Sequence, residues 1–140
     1  MSAMGIELTF VLRPTEQHLT VVGCSTDGTT DYHVLTMSWY EDYDKRHGDD
    51  GAEGRLVALY RFEEPWTSWE MHPAGDEVVC CIQGHVTLHQ EHADGSKESV
   101  DLGPGDYAVN PPGTWHTADT DGPVVALFIT VGQGTTHRPR

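Results

Sequence analysis

At 140 residues, with 37% hydrophobic and 21% charged side chains, the chain can bury one hydrophobic core, is too short for two comfortable domains, and is too apolar to stay disordered. Its 22 acidic residues against 8 basic ones leave a net charge of −14, which repels phosphates and excludes nucleic acid as a partner. No apolar run approaches the roughly 18 residues of a membrane span, and Met1-Ser2-Ala3-Met4-Gly5-Ile6-Glu7 lacks the basic-then-apolar pattern of a signal peptide, so a soluble, cytoplasmic protein is expected.

Fifteen glycines and eight prolines cut the chain into short runs rich in β-branched residues. In order, strands are predicted over residues 7–12, 19–23, 55–62, 66–72, 77–83, 85–90, 98–102, 107–110, 115–118 and 124–131. Turn chemistry separates the later ones: Asp94-Gly95, Gly103-Pro104-Gly105-Asp106, Pro111-Pro112-Gly113 and Asp121-Gly122-Pro123. One stretch differs. Over residues 36–47, Trp39, Tyr40 and Tyr43 lie among Glu41, Asp42, Asp44 and Lys45 with the spacing of a short amphipathic helix, and a polar loop follows over 48–54. The expectation is a single all-β domain over 1–140. Its barrel core lies at about 55–131, N-terminal strands and the short helix occupy 1–54, and 132–140 form a polar surface tail. Cys24, Cys80 and Cys81 make an odd count without a C-x-x-C; adjacent Cys80 and Cys81 point to opposite strand faces, and all three read as reduced core residues.

The residues able to carry chemistry gather in the centre. Glu70 and His72 are two apart on a strand, so their side chains leave the same face. Pro73-Ala74-Gly75-Asp76 is a turn, and Glu77 opens the next strand beside them. Further on, the rigid Pro111-Pro112-Gly113 turn delivers His116 to a strand start.

These two stretches resemble the paired motifs of the cupin superfamily, a small double-stranded β-helix or jelly-roll barrel. The first motif is matched by His72, by Glu77 after four intervening residues and by Gly84 after six more; the second is matched by Gly105, Pro111, Gly113 and His116. The chain departs from the family at Glu64 (usually Gly), at Thr120 (usually Asn) and at Glu70, where the family has its first His. By position, the resemblance implies Glu70, His72, Glu77 and His116 as ligands of a divalent metal. Two carboxylates and two imidazoles suit Fe, Mn, Zn or Ni. Alternatively, two His and one carboxylate would form a facial triad, leaving the other Glu, Glu70 or Glu77, as a catalytic general base. Two carboxylates in a partly dry barrel repel and need a cation or a proton. The opposite reading pairs Glu70 with Arg55 or Arg61 in a barrel without metal.

The implied function is a metal-dependent cupin enzyme acting on a small polar metabolite such as a keto acid, diketone, sugar or phenol. Dioxygenase chemistry comes first and isomerisation or cyclisation next. The alternative is a non-catalytic small-molecule-binding or sensing module. Small cupins often pair through edge strands, so a homodimer is expected. His85, His89 and His92 invite a second metal site, but alternation with Val86 and Leu88 turns His85 and His89 outward. Cys81, with inward parity, reads as core. Trp66 shares the parity of Glu70 and can reach the pocket, whereas Trp69 faces away. His137 and Arg138 could cap the pocket or bind an anion if their tail is ordered.

Overall fold

Alternation is the local cause of this fold. In β4 (Glu77–Gln83) and β5 (Val86–Glu91) every second side chain is buried, Glu77, Val79 and Cys81 in the first and Val86, Leu88 and Gln90 in the second. Strands β2 (Arg55–Phe62) and β9 (Val124–Thr130) are apolar on both faces and occupy central positions. The computed structural model of the chain describes residues 19–22, 41, 45 and 55–140. The other strands among them are β1 (Leu19–Val22), β3 (Ser68–Met71), β6 (Lys97–Leu102), β7 (Tyr107–Asn110), β8 (Trp115–Asp119) and β10 (Thr136–Pro139).

Two five-stranded sheets result, in the orders β1-β2-β9-β4-β7 and β10-β3-β8-β5-β6. All pairings are antiparallel except β1 on β2. The core is shared by both sheets: Val79, Cys81, Ala126 and Phe128 come from one, Val86, Leu88, Leu102 and Ala118 from the other. This all-β arrangement fits the jelly-roll barrel expected from the sequence. Gly84, at the β4–β5 turn, has φ +84°, and a Cβ there would collide with the Pro123 carbonyl oxygen, so only glycine fits this crossing from one sheet to the other.

Register then sorts the interior into two layers. On the inward faces, Glu77 lies opposite both Asn110 and Thr130, Gln90 opposite His116, and His116 opposite Glu70. One end of the barrel is therefore polar, and Val79, Phe128, Leu88 and Ala118 fill the layer beneath it.

Two expectations need comment. The strand predicted over 7–12 lies outside the described residues, as does the helix over 36–47 apart from Glu41 and Lys45, whose backbone is helical; every complete element among the described residues is a strand. The tail expected over 132–140 is instead partly β10, which pairs with β3 along Thr136↔Met71 to Pro139↔Ser68. Its polar side chains hold it there. The Arg138 guanidinium lies between the rings of Trp69 and Trp115, 5.1 and 4.5 Å from their centroids, and 2.9 Å from Glu91 Oε2. Arg140 pairs with Asp119 and donates to the Trp66 carbonyl.

Arg140, and after it His89, bring the Asp119 carboxyl down to about 2 from an ordinary 3.8. The stabilisation from that pair is thus complete above pH 3.8 and lost as the pH falls through about 2. With Asp119 40% exposed, it is worth at most about 1 kcal/mol. The Trp–Arg–Trp stack matters more. Replacing Arg138 by Ala is expected to cost about 1–2 kcal/mol and to speed amide exchange across residues 136–139 while leaving β4 and β9 protected, as read by hydrogen–deuterium exchange. Equal exchange in both proteins would show that the backbone ladder alone holds the strand.

Candidate metal centre

Local chemistry delivers each side chain to the polar end. His72 follows directly on β3 and precedes Pro73, which keeps its backbone extended, so Glu70 and His72 share a face. The tight 73–76 turn requires Gly75, where a Cβ would run into Val131, and places Glu77 at the first position of β4. The second turn is tied to the first: Gly113, at φ +79°, donates its N–H to the His72 carbonyl at 3.0 Å. Two residues later β8 begins, and it carries His116 inward.

The four predicted residues do meet. His116 Nε2 lies 2.9 Å from Glu77 Oε2, and His72 Nε2 lies 3.3 Å from Glu77 Oε1 and 3.7 Å from Glu70 Oε1. The two imidazole centroids are 5.3 Å apart. Ligand atoms of Glu70, His72 and His116 all fall within 4.8 Å of one another, close enough to share one ion. His72, Glu77 and His116 are 3%, 2% and 0% exposed, and Glu70 is more open to the cavity.

Hydrogen bonds define the tautomers. Thr135 Oγ1 donates its proton to the Gly132 carbonyl at 2.8 Å, so it accepts from His72 Nδ1–H, also at 2.8 Å. The Thr114 carbonyl can only accept, so His116 Nδ1 is likewise protonated. In each neutral ring the lone pair is therefore on Nε2, and neither buried Nε2 has a hydrogen-bond partner. The Glu77 oxygens are near them, yet off the line of a hydrogen bond. Two imidazole lone pairs and a carboxylate facing one another in a dry barrel repel unless a cation or a proton sits among them.

Glu77 is held rigidly. Asn110 Nδ2 donates to Oε2 at 3.0 Å and Thr130 Oγ1 to Oε1 at 2.8 Å. Gln90 Nε2 donates to Asn110 Oδ1, which turns the Asn110 amide nitrogen toward Glu77. Burial pushes the Glu77 carboxyl up, but His116 and then His72 outweigh it and hold the group well below the usual carboxylate range. Burial likewise opposes charge on His116, and Glu77 outweighs it, raising this imidazole above its ordinary value.

Arg61, one partner weighed for Glu70, instead pairs with Glu63 at 3.0 Å. Glu70 faces His72 and, at 3.6 Å, His137 from β10. The outward histidines are engaged elsewhere, His89 with Ser99 and Asp119, His92 with Thr114 and Glu98. Trp66 lines the cavity and its ring lies 6.3 Å from that of His116, while Trp69 is on the opposite face. Sequence reasoning missed Thr135, Asn110, Thr130 and Gln90. Only Gln90 left a signal, as the polar residue sharing the parity of Val86 and Leu88.

A cavity of about 450 Å³ opens from this cluster. A family model described as Cupin domain matches residues 61–132, just over half of the 140-residue chain. The chain belongs to the cupin family. Comparison with curated proteins finds no match. Among solved structures, this cupin is similar to oxalate decarboxylase from Lactobacillus farciminis in a formate complex, at 17% identity and TM-score 0.52 over 61% of this chain and 26% of that one. It is similar to an uncharacterized conserved protein with a double-stranded β-helix domain from Klebsiella pneumoniae, at 21% identity and TM-score 0.51 over 61% and 76% of the two chains. Hydroquinone 1,2-dioxygenase from Sphingomonas sp. TTNP3, with 4-hydroxybenzoate bound, matches at 17% identity and TM-score 0.47 over 54% and 59%. The cupin thus covers less than two thirds of either enzyme chain, and at such identities the likeness shows the fold alone.

Thr135 sets the His72 tautomer from outside the ligand cluster. Thr135→Val should weaken Zn(II) or Co(II) binding about ten-fold in a chelator competition while leaving the melting temperature within a few degrees. Unchanged affinity would mean that the imidazole is oriented without it.

Proposed function

We propose that this cupin holds a divalent transition metal, Fe, Mn, Zn or Ni, through Glu70, His72, Glu77 and His116, and acts on a small metabolite in the adjoining cavity. The two buried Nε2 atoms, 3.3 and 2.9 Å from Glu77 oxygens yet without a hydrogen-bond partner, carry this reading. The donor set fits: oxygen and neutral nitrogen ligands, with Nδ1 of each His bonded outward. Such a metal supplies Lewis acidity and, if it is iron, oxygen activation. The reaction class put forward is dioxygenation, with isomerisation or cyclisation next.

The chain's own residues divide the work. Glu77, clamped by Asn110 and Thr130 and strongly acidic, stays ionised and anchors the two imidazoles. Glu70 is the more accessible carboxylate and borders the cavity beside His137, so it is the group able to take up a substrate proton if it is not itself a ligand. His72 and His116, both buried, supply the two nitrogen donors.

A second reading is a metal-free, small-molecule-binding cupin. The 2.9 Å separation of His116 Nε2 and Glu77 Oε2 favours it, since a shared proton would also relieve that contact. We also propose a cytoplasmic homodimer, supported by the unbridged thiols of Cys80 and Cys81 and by exposed Tyr107 and Val109 on edge strand β7.

Elemental analysis of the purified and the reconstituted protein tests the metal. Stoichiometric metal is expected in the parent, and loss of at least ten-fold in affinity in His72→Ala and His116→Ala. Metal absent from the parent even after reconstitution with all four ions would leave the second reading. Protons compete for the raised His116, so apparent metal affinity should fall as the pH drops, by about ten-fold per unit below the pKa of that ring. A flat affinity profile between about pH 5 and 8, the range in which imidazoles change charge, would remove His116 from the ligand set.

A further inference from the structure

The wall of the cavity opposite the carboxylates is aromatic, and it begins at a proposed metal ligand. The Trp66 ring is 6.3 Å from that of His116, the Phe128 ring is 5.8 Å from Trp66 and tilted 35° to it, and Tyr60 meets Phe128 edge-on at 5.7 Å. Phe62 packs edge-on to Trp66 at 6.0 Å. All four aromatic residues line the cavity, with Leu56 and Ala58 adding further apolar surface. Backbone geometry fixes this wall: Leu56, Ala58, Tyr60 and Phe62 are alternate residues of β2, and Trp66 is pinned by its N–H to the Ala118 carbonyl at 2.9 Å.

Elimination narrows the ligand. With Glu70 and Glu77 balancing the charge of a divalent ion, a carboxylate or phosphate would find no net positive charge: Glu41 also lines the cavity, His137 faces Glu70, and Arg61, the one arginine or lysine among the described lining residues, pairs with Glu63. A sugar needs a hydrogen-bonding group for each of several hydroxyls, but the two lining threonines are committed, Thr130 to Glu77 and Thr135 to His72 and Gly132. That leaves Ser68 and the unpartnered Tyr60 hydroxyl, enough for one oxygen-bearing head. We propose that the cavity takes an uncharged, flat, unsaturated ligand with an oxygen-bearing head, of the phenol or enol class, its head at the Glu70–His72–His116 cluster and its body against Trp66 and Phe128. Within the proposed function, on which this rests, it selects the phenol and diketone substrates and sets aside keto acids and sugars. Trp66 is then the specificity-determining residue.

Benzohydroxamate and acetohydroxamate test this, because they share a metal-binding head of similar acidity and differ in the flat ring. Both are titrated calorimetrically into the full chain, as purified and Zn(II)-loaded, with metal content measured on the same samples. Benzohydroxamate should bind at least about ten-fold tighter, and Trp66→Leu or, independently, Phe62→Leu should remove most of that preference. Metal-loaded protein that binds both probes alike overturns the proposal and leaves the metal reading standing. Protein that holds no metal yet still prefers benzohydroxamate, with the preference lost in Trp66→Leu, supports the proposal and sinks the metal reading. Protein that neither holds metal nor binds either probe overturns both, and metal-loaded protein that binds neither probe overturns the proposal alone.

Discussion

Everything at the polar end of this barrel depends on one electrostatic constraint: Glu77 lies within 3.3 Å of two buried imidazole nitrogens, and neither nitrogen has a hydrogen-bond partner. Such a group of acceptors cannot stand by itself. A metal ion or a proton would relieve the repulsion, and the surrounding hydrogen bonds leave room for either. Thr130 and Asn110 each give Glu77 one donor, enough to fix the carboxylate and too few to neutralise it. Thr135 and the Thr114 carbonyl take the outer imidazole protons and so commit the inner nitrogens to acceptance.

That constraint explains why the last strand matters. β10 brings His137 opposite Glu70, and the loop before it brings Thr135 under His72. The strand has little apolar surface with which to hold itself in place. Its grip comes from the outer face, where Arg138 is stacked between Trp69 and Trp115 and bonded to Glu91. The interior site is in this way supported by an exterior cation–π stack on the opposite face of the same sheet. The two sheets also differ outside: β5 and β6 present Thr87, His89, Ser99 and Asp101 to solvent in bonded pairs, whereas β7 presents Tyr107 and Val109.

How much of this was legible beforehand depends on the range of the interaction. Strand positions from residue 55 to 131 were readable because apolar alternation and Gly/Pro turns are local. The pairing of Glu70 with His72 on one face was readable from a spacing of two, and the arrival of Glu77 and His116 from turns that brook no other residues. The outward aim of His89 and of Trp69 followed from the same parity. Residues 132–140 were misread for a physical reason: a polar strand has no hydrophobic period, and its partners Trp69, Glu91, Trp115 and Asp119 are scattered through the chain.

The sequence by itself determined which side chains face inward, since the two-residue repeat of a strand needs no knowledge of its neighbours. Its resemblance to the paired cupin motifs also implied that two carboxylates and two histidines belong to one cluster. Only the tertiary structure decided what that cluster can do. Register across distant strands set Asn110 and Thr130 against Glu77 and left Glu70 nearer the cavity, a difference between two glutamates that no local spacing encodes. Hydrogen bonds from the imidazoles to Thr135 Oγ1 and the Thr114 carbonyl chose the tautomers, and tautomer is a property of the folded surroundings. Glu70, the position at which this chain leaves the common motif, is thereby the carboxylate with room to act.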